Sequence, residues 1–116
     1  YVDPLIFPIS VSSAYGKDAL DAIKEIKNRW ENINITGGMS NVSFGLPKRR
    51  LINDVFISLA IENGANSGII NPIESKIERI LSIDKTTEAY DLTKSMLEGH
   101  DEFCVSYLKA FREKRI

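Results

Sequence analysis

Residues 35 to 50, ITGGMSNVSFGLPKRR, bring a glycine pair, a Ser-Asn pair and a basic tripeptide together at the end of an apolar run. Taken alone, Gly37, Gly38, Ser40 and Asn41 read as a turn with a side-chain oxygen free to cap a following helix. Asn41 also carries an amide that donates and accepts hydrogen bonds without titrating at working pH. Asp3 before Pro4 is an ordinary turn-starting pair, and Asn71-Pro72 reads as a helix start outside any site. Lys48, Arg49 and Arg50 stand just before a helix, the end where its dipole disfavours cations. A solvated face is the plain reading of that run, and a contact with an anion the sharper one. His100, Asp101, Glu102 and Cys104 are metal-ligand types, but their spacing matches no common zinc pattern. Asp101 and Glu102 suit the start of a helix, so no metal is expected. Asn34-Ile35-Thr36 and Asn41-Val42-Ser43 fit the glycosylation triplet, which is common by chance. No Gly-x-Ser-x-Gly elbow, Walker loop, dinucleotide fingerprint or pair of carboxylates at successive strand ends occurs. Hydrolase, nucleotide-binding and glycosidase chemistry therefore lack support.

Bulk properties narrow the class further. With 116 residues, 43% hydrophobic and 27% charged, the chain suits one soluble folded unit with a modest core. A formal net charge of -1 and a pI of ≈ 5.9 give no long-range field for phosphate backbones, so no nucleic-acid partner is expected. Cys104, the single cysteine, cannot form an intrachain disulfide, and no apolar run approaches the roughly 20 residues of a membrane span. A reducing, cytoplasmic setting is the default expectation. Tyr1 is not a methionine and opens in mid-run, so the gene product is expected to begin upstream.

The elements that must hold these residues alternate. A strand is expected from Tyr1 to near Asp3, because Pro4 and Pro8 lack the amide of a central ladder. Leu20, Ile23, Ile26 and Trp30 then recur at helical spacing. A second strand, NINIT, places Ile33 and Ile35 on one side. It leads through the glycine loop to a helix from about Arg50 to Asn63, whose stripe is Leu51, Ile52, Val55, Phe56, Leu59 and Ala60. Asn63-Gly64 is the stop. A third strand, SGIIN, precedes a helix opened by Pro72 and carrying Ile73, Ile77, Ile80 and Leu81. Two further helices are predicted, Thr86 to Leu97 and Asp101 to Arg112, split by Gly99-His100.

Strand and helix alternating on short connections predict an α/β chain with a parallel sheet, either open or part of a barrel. A closed barrel of eight units in about 250 residues allows roughly 31 residues per unit, so this chain holds three units and a helical extension.

GGMSNVSFGLP followed by RRLINDVFISLAIENGANSGIINP resembles the pterin-binding domain of methyltetrahydrofolate:corrinoid methyltransferases, which includes the folate module of cobalamin-dependent methionine synthase. YVDPLIFPISV is similar to that domain's sixth strand and the segment after it. The resemblance runs over nearly the whole chain and is weakest between residues 84 and 116. It implies the C-terminal portion, the last three strand-helix units, of a TIM (β/α)8 barrel of the pterin-binding, dihydropteroate-synthase-like type. Residues 1–116 would form one partial barrel domain, with 1–83 the three units and 84–116 a C-terminal helical extension.

The implied activity is methyl transfer from N5-methyltetrahydrofolate to cob(I)alamin carried by a partner corrinoid protein. This chain would supply part of the pterin site and be inactive alone. By resemblance Asp3 accepts hydrogen bonds from the pterin ring, and Asn41 is the catalytic residue beside N5. An amide there stabilises charge that develops as the methyl leaves. It cannot protonate N5, so a water or hydrogen-bond network is expected to deliver the proton. Gly37 and Gly38 would admit a flat ring, Ile69 would pack on its face, and Ser40 and Ser43 would orient Asn41. The family's further aspartate and asparagine lie on strands that would precede Tyr1. An open sheet edge then exposes Ile33, Ile35, Ile69 and Ile70, and a complementary N-terminal barrel half or a homodimer is the expected partner. The alternative is a non-catalytic half-barrel with an assembly role.

Overall fold

The computed structural model describes all 116 residues. Five α-helices and two short 3-10 segments surround three connecting stretches that lie side by side. Those stretches are the places where strands are predicted. They pair in chain order and in parallel, but only through isolated bridges, Val2 with Ile35 and Gly38 with Ile69. Val2 N–H donates to the Asn34 carbonyl (2.8 Å), and the Val2 carbonyl accepts from Thr36 N–H (3.0 Å). Ile69 N–H donates to the Gly37 carbonyl (2.8 Å), and the Ile69 carbonyl accepts from Met39 N–H (3.3 Å). No ladder extends from either bridge, so the predicted strands are corrected to single contacts. The outer stretches each have one neighbour, and Pro4 and Pro72 remove donors where pairing would continue.

Helix α1 (Tyr15–Arg29) buries Gly16, Ala19, Leu20 and Ile23. Trp30, predicted on its apolar face, is instead the C-cap and stands 55% exposed, because the helix ends one residue before it. Helix α2 (Arg49–Asn63) lies at the centre of the molecule, with every residue from Ile52 to Ala60 buried. A side chain of Val, Ile or Phe size contributes about 1.5–3 kcal/mol when fully buried, so the stretch around Val55 and Phe56 anchors the core. Gly64 ends the helix at φ 118. A side chain there would be strained and would meet Lys27 at 2.7 Å, so the stop depends on glycine.

Pro72 does not open the next helix. The Asn71 carboxamide oxygen accepts from Ile73 N–H (3.0 Å) and the Asn71 carbonyl from Ser75 N–H (2.8 Å), a local turn that competes with helix. Helix α3 is confined to Ile77–Leu81, leaving Ile73 and Leu81 exposed and Ile80 buried. Arg79 on α3 forms a two-pronged pair with the buried Asp54 of α2, at 2.7 and 3.0 Å, and this bond raises the guanidinium pKa.

The extension adds α4 (Glu88–Leu97), capped by the Thr87 hydroxyl, which accepts from Tyr90 N–H. It also adds α5 (Val105–Arg112). The predicted helix from Asp101 is broken at Phe103 and Cys104, both at φ 58. The Asp101 carboxylate serves the first turn of α5, accepting from the Ser106 and Tyr107 N–H groups, each at 2.9 Å. Tyr90, Met96, Leu97 and Tyr107 belong to the same core as α1 and α2. Tyr107 donates its hydroxyl to the Pro47 carbonyl (2.9 Å), and the Cys104 thiol lies 3.9 Å from the Ile9 carbonyl. The extension therefore packs beside the loops that leave the bridged stretches. No helix is long and apolar enough to cross a membrane.

Candidate functional site

The second stretch leads directly into a 3-10 turn, Met39–Ser43, closed by local hydrogen bonds. Asn41 N–H donates to Gly38 (3.2 Å), Phe44 N–H to Asn41 (3.3 Å), and the buried Ser43 hydroxyl to the Ser40 carbonyl (3.1 Å). Arg49, the first residue of α2, turns back onto this turn. Its Nε donates to Ser43 Oγ and its Nη2 to the Ser40 carbonyl, both at 2.9 Å, while its guanidinium lies 6.0 Å from the Phe44 ring centre. The loop after Val2 is tied to the same turn, by Ile9 N–H to Val42 (3.1 Å) and Ser10 Oγ to the Phe44 carbonyl (2.7 Å).

These ties bring Asp3, Gly38 and Asn41 into the lining of one open cleft of ≈ 460 Å³, with Leu5, Ile6, Phe7, Pro8 and Phe44. Asp3 does act as a turn starter, since its Oδ1 accepts from Leu5 N–H at 2.8 Å. Leu5 is thereby held at φ 62, while Oδ2 keeps its capacity to accept. The glycine pair matters through space. A Cβ at Gly37 would lie 2.9 Å from Ile6 and 3.3 Å from Asp3 Oδ1, and one at Gly38 would lie 3.0 Å from Asn41 Nδ2. Neither position can carry a side chain without moving a residue of the cleft.

The other predicted site residues fall outside it. Ser40 lines a neighbouring cleft of ≈ 520 Å³. Ser43 directs its hydroxyl to Ser40 and Arg49, not to Asn41. Ile69 shares a backbone bridge with Gly38, yet its side chain is 71% exposed. Of the residues expected at an open edge, Ile35 is fully buried, flanked on one side by the bridge to Val2 and bonded on the other through its carbonyl to Ser67 N–H (3.2 Å), while Ile33 and Ile70 are half-buried. The exposed His100, the capping Asp101 and the buried Cys104 do not converge. The aromatic lining, Phe7 and Phe44, and the Arg49 clamp are missed by sequence reasoning. The Phe of SNVSFG and the basic run were the available signals.

Chemically, the cleft offers a carboxylate oxygen, an amide with both donor and acceptor, and apolar walls. That set suits a flat heterocycle with an N–H edge better than a charged phosphate.

No protein-family model matches the chain. Over all its 116 residues it is 31% identical to methylcorrinoid:tetrahydrofolate methyltransferase of Eubacterium limosum, and it spans 39% of that protein's length. It is 34% identical over 93 residues, 75% of the chain, to 7% of the methionine synthase of Mycobacterium leprae. With the methionine synthase of Mycobacterium tuberculosis it shares 36% identity over 76 residues, 60% of the chain and 6% of that protein.

Proposed function

We propose that this chain, homologous over its length to part of methylcorrinoid:tetrahydrofolate methyltransferase and methionine synthase, supplies part of a pterin site. At that site a methyl group moves between N5 of tetrahydrofolate and a corrinoid held by a partner protein. The observation that carries the reading is the convergence of Asp3 with Gly38 and Asn41, from a different stretch of the sequence, on one cleft. The three strand-helix units of a half-barrel belong to the same proposal, supported by the parallel bridges in chain order.

In this reading Asp3 Oδ2 accepts from the N–H edge of the aminopyrimidinone, while the bond from Leu5 N–H to Oδ1 holds the carboxylate in place. Asn41 turns its Nδ2 toward N5. As the N5–CH3 bond breaks, its electron pair stays on nitrogen, and a donor aimed there strengthens as charge grows. Water in the open cleft delivers the proton. A corrinoid supplies the electron pair for the new bond to carbon. The Eubacterium limosum relative is named for the opposite direction, and one site serves both, since the same donor stabilises the same transition state.

Calorimetric titration with methyltetrahydrofolate tests this, on the chain and on the complete reading frame that encodes it. Asp3→Asn and Asn41→Ala should each weaken binding by about tenfold, as expected for loss of a charge-assisted or site-directed hydrogen bond. Absence of binding in every form would leave the assembly role as the function of this chain.

A further inference from the structure

The neighbouring cleft has its own chemistry, and its lining shares no residue with that of the Asp3–Asn41 cleft. It lies at the N-terminus of α2, which has no side-chain cap and no acidic residue in its first turn. The first amide groups of a helix have no partner within it, so these remain open to a ligand. Arg50 contributes a guanidinium that makes no ion pair, and Arg49 adds a second, committed through Nε and Nη2 to the neutral oxygens of Ser43 and Ser40. The positive end of the helix dipole and two cations stand together, which is unfavourable unless an anion is near. An anion is therefore one half of the ligand.

The other half follows from the acceptors. Asn53, 7% exposed and part of the lining, has an Oδ1 with no hydrogen-bond partner, the sole buried side-chain atom of the protein in that state. Buried polar groups are otherwise paired, so this oxygen requires a donor on the ligand. The exposed Glu74 adds a carboxylate outside any ion pair, again an acceptor only. Ser75, 5% exposed, brings a hydroxyl able to donate or accept. The rim that carries Glu74 and Ser75 is fixed, because Arg79 Nη2 donates to the Glu74 carbonyl while the same side chain grips the buried Asp54. Ile57 and Ile70 supply an apolar wall.

Few ligands meet both halves. A carboxylate offers acceptors alone, and the protons of inorganic phosphate sit on the very anion that Arg50 would hold. We infer that this cleft binds a phosphorylated polyol, a compound of the sugar phosphate class. Its phosphate lies on Arg50 and the open N–H groups of α2. Its hydroxyls donate to Asn53 Oδ1 and to the Glu74 carboxylate, and its carbon face rests on Ile57 and Ile70. The cleft volume of ≈ 520 Å³ is in the range of small-molecule sites. The inference stands apart from the pterin reading, and no step of methyl transfer passes through this cleft.

The test is calorimetric titration of the complete protein with ribose 5-phosphate, glucose 6-phosphate, ribose, inorganic phosphate and N-acetylglutamate, with thermal melts as the check on folding. One of the sugar phosphates should bind at least about tenfold more tightly than inorganic phosphate, and ribose should give no heat. Arg50→Gln should weaken that sugar phosphate and inorganic phosphate by about tenfold and flatten their salt dependence. Asn53→Leu and Glu74→Gln should each weaken the sugar phosphate and leave inorganic phosphate no weaker. Equal affinity for sugar phosphate and inorganic phosphate would overturn the inference by assigning the cleft to a free anion, and tighter binding of N-acetylglutamate would do so by making it a carboxylate site. Absence of binding by both sugar phosphates, or binding that Arg50→Gln leaves intact, would overturn it as well. Methyltetrahydrofolate should bind the three variants as it binds wild type. A loss in Arg50→Gln would overturn the inference by making Arg50 part of the other site.

Discussion

Arg49 Nε donates to the hydroxyl of Ser43 across 2.9 Å, so the first residue of α2 is fastened to the last residue of the turn that presents Asn41. A second bond, from Nη2 to the Ser40 carbonyl, closes the clamp. Ser43 is fully buried while Arg49 is exposed, so the clamp joins a fixed point to a flexible side chain.

Replacing Arg49 by Met keeps the aliphatic stem and removes both bonds. Because the arginine is solvent-exposed, stability should fall by only about 1 kcal/mol. The larger effect is expected on the turn. Amide hydrogen exchange at Asn41 and Phe44 should quicken, and methyltetrahydrofolate affinity should drop. Arg49→Lys, which cannot span two acceptors in the same plane, should restore little of either.

Gly38 separates the demands of site and fold in another way. Its φ of -75 is open to any residue, so Gly38→Ala should leave the melting midpoint within the shift that about 0.5 kcal/mol produces. The added methyl lies 3.0 Å from Asn41 Nδ2 and must push that exposed amide aside. Ligand affinity should therefore fall while stability holds. A variant that loses stability and keeps its affinity would show that Asn41 is not held where the ligand needs it.

Alkaline stability should depend on Tyr107. Burial pushes its phenol well above the ordinary value of 10.0, helped by the nearby Cys104. The folded state keeps the proton that the unfolded state gives up. The contribution of Tyr107 is thus complete below pH 10 and declines as pH rises past that value, by about 1.4 kcal/mol per pH unit. Denaturant melts from pH 8 to 12 should show the slope, and Tyr107→Phe should reduce it, leaving the part contributed by the Cys104 thiol, which burial also raises. The variant also leaves the Pro47 carbonyl without this donor, so its stability at pH 7 should be lower by about 1 kcal/mol.

Much of the helical frame was legible because apolar residues recur at the helical period. The stripe of α2 predicts a helix whose bounds hold to a residue, the spacing from Leu20 to Ile26 predicts a helix there but not its start at Tyr15, and Gly64 and Gly99 stop helices through their left-handed backbones. The helix expected from Pro72 fails because the Asn71 side chain captures the Ile73 amide, a local bond that outcompetes the pattern. The left-handed Leu5, Phe103 and Cys104 have no sequence signal, since none is glycine, asparagine or aspartate. The predicted strands are apolar runs of the right length, but a run reports burial and not how many neighbours will pair with it.

By itself the sequence determined which residue types were available for chemistry: the glycine pair, the amide of Asn41, the carboxylate of Asp3 and the arginines before α2. Local propensity and short motifs carry that information, and they act over a few residues. Tertiary structure alone decided that Asp3 and Asn41 line one cleft, that Ser40 faces another with Arg50 and Asn53, and that Ile69 stands in solvent. Those outcomes depend on the Val2–Ile35 and Gly38–Ile69 bridges and on the return of Arg49 to Ser40 and Ser43. Such contacts form only when the packed core of α2 has brought the connecting stretches side by side.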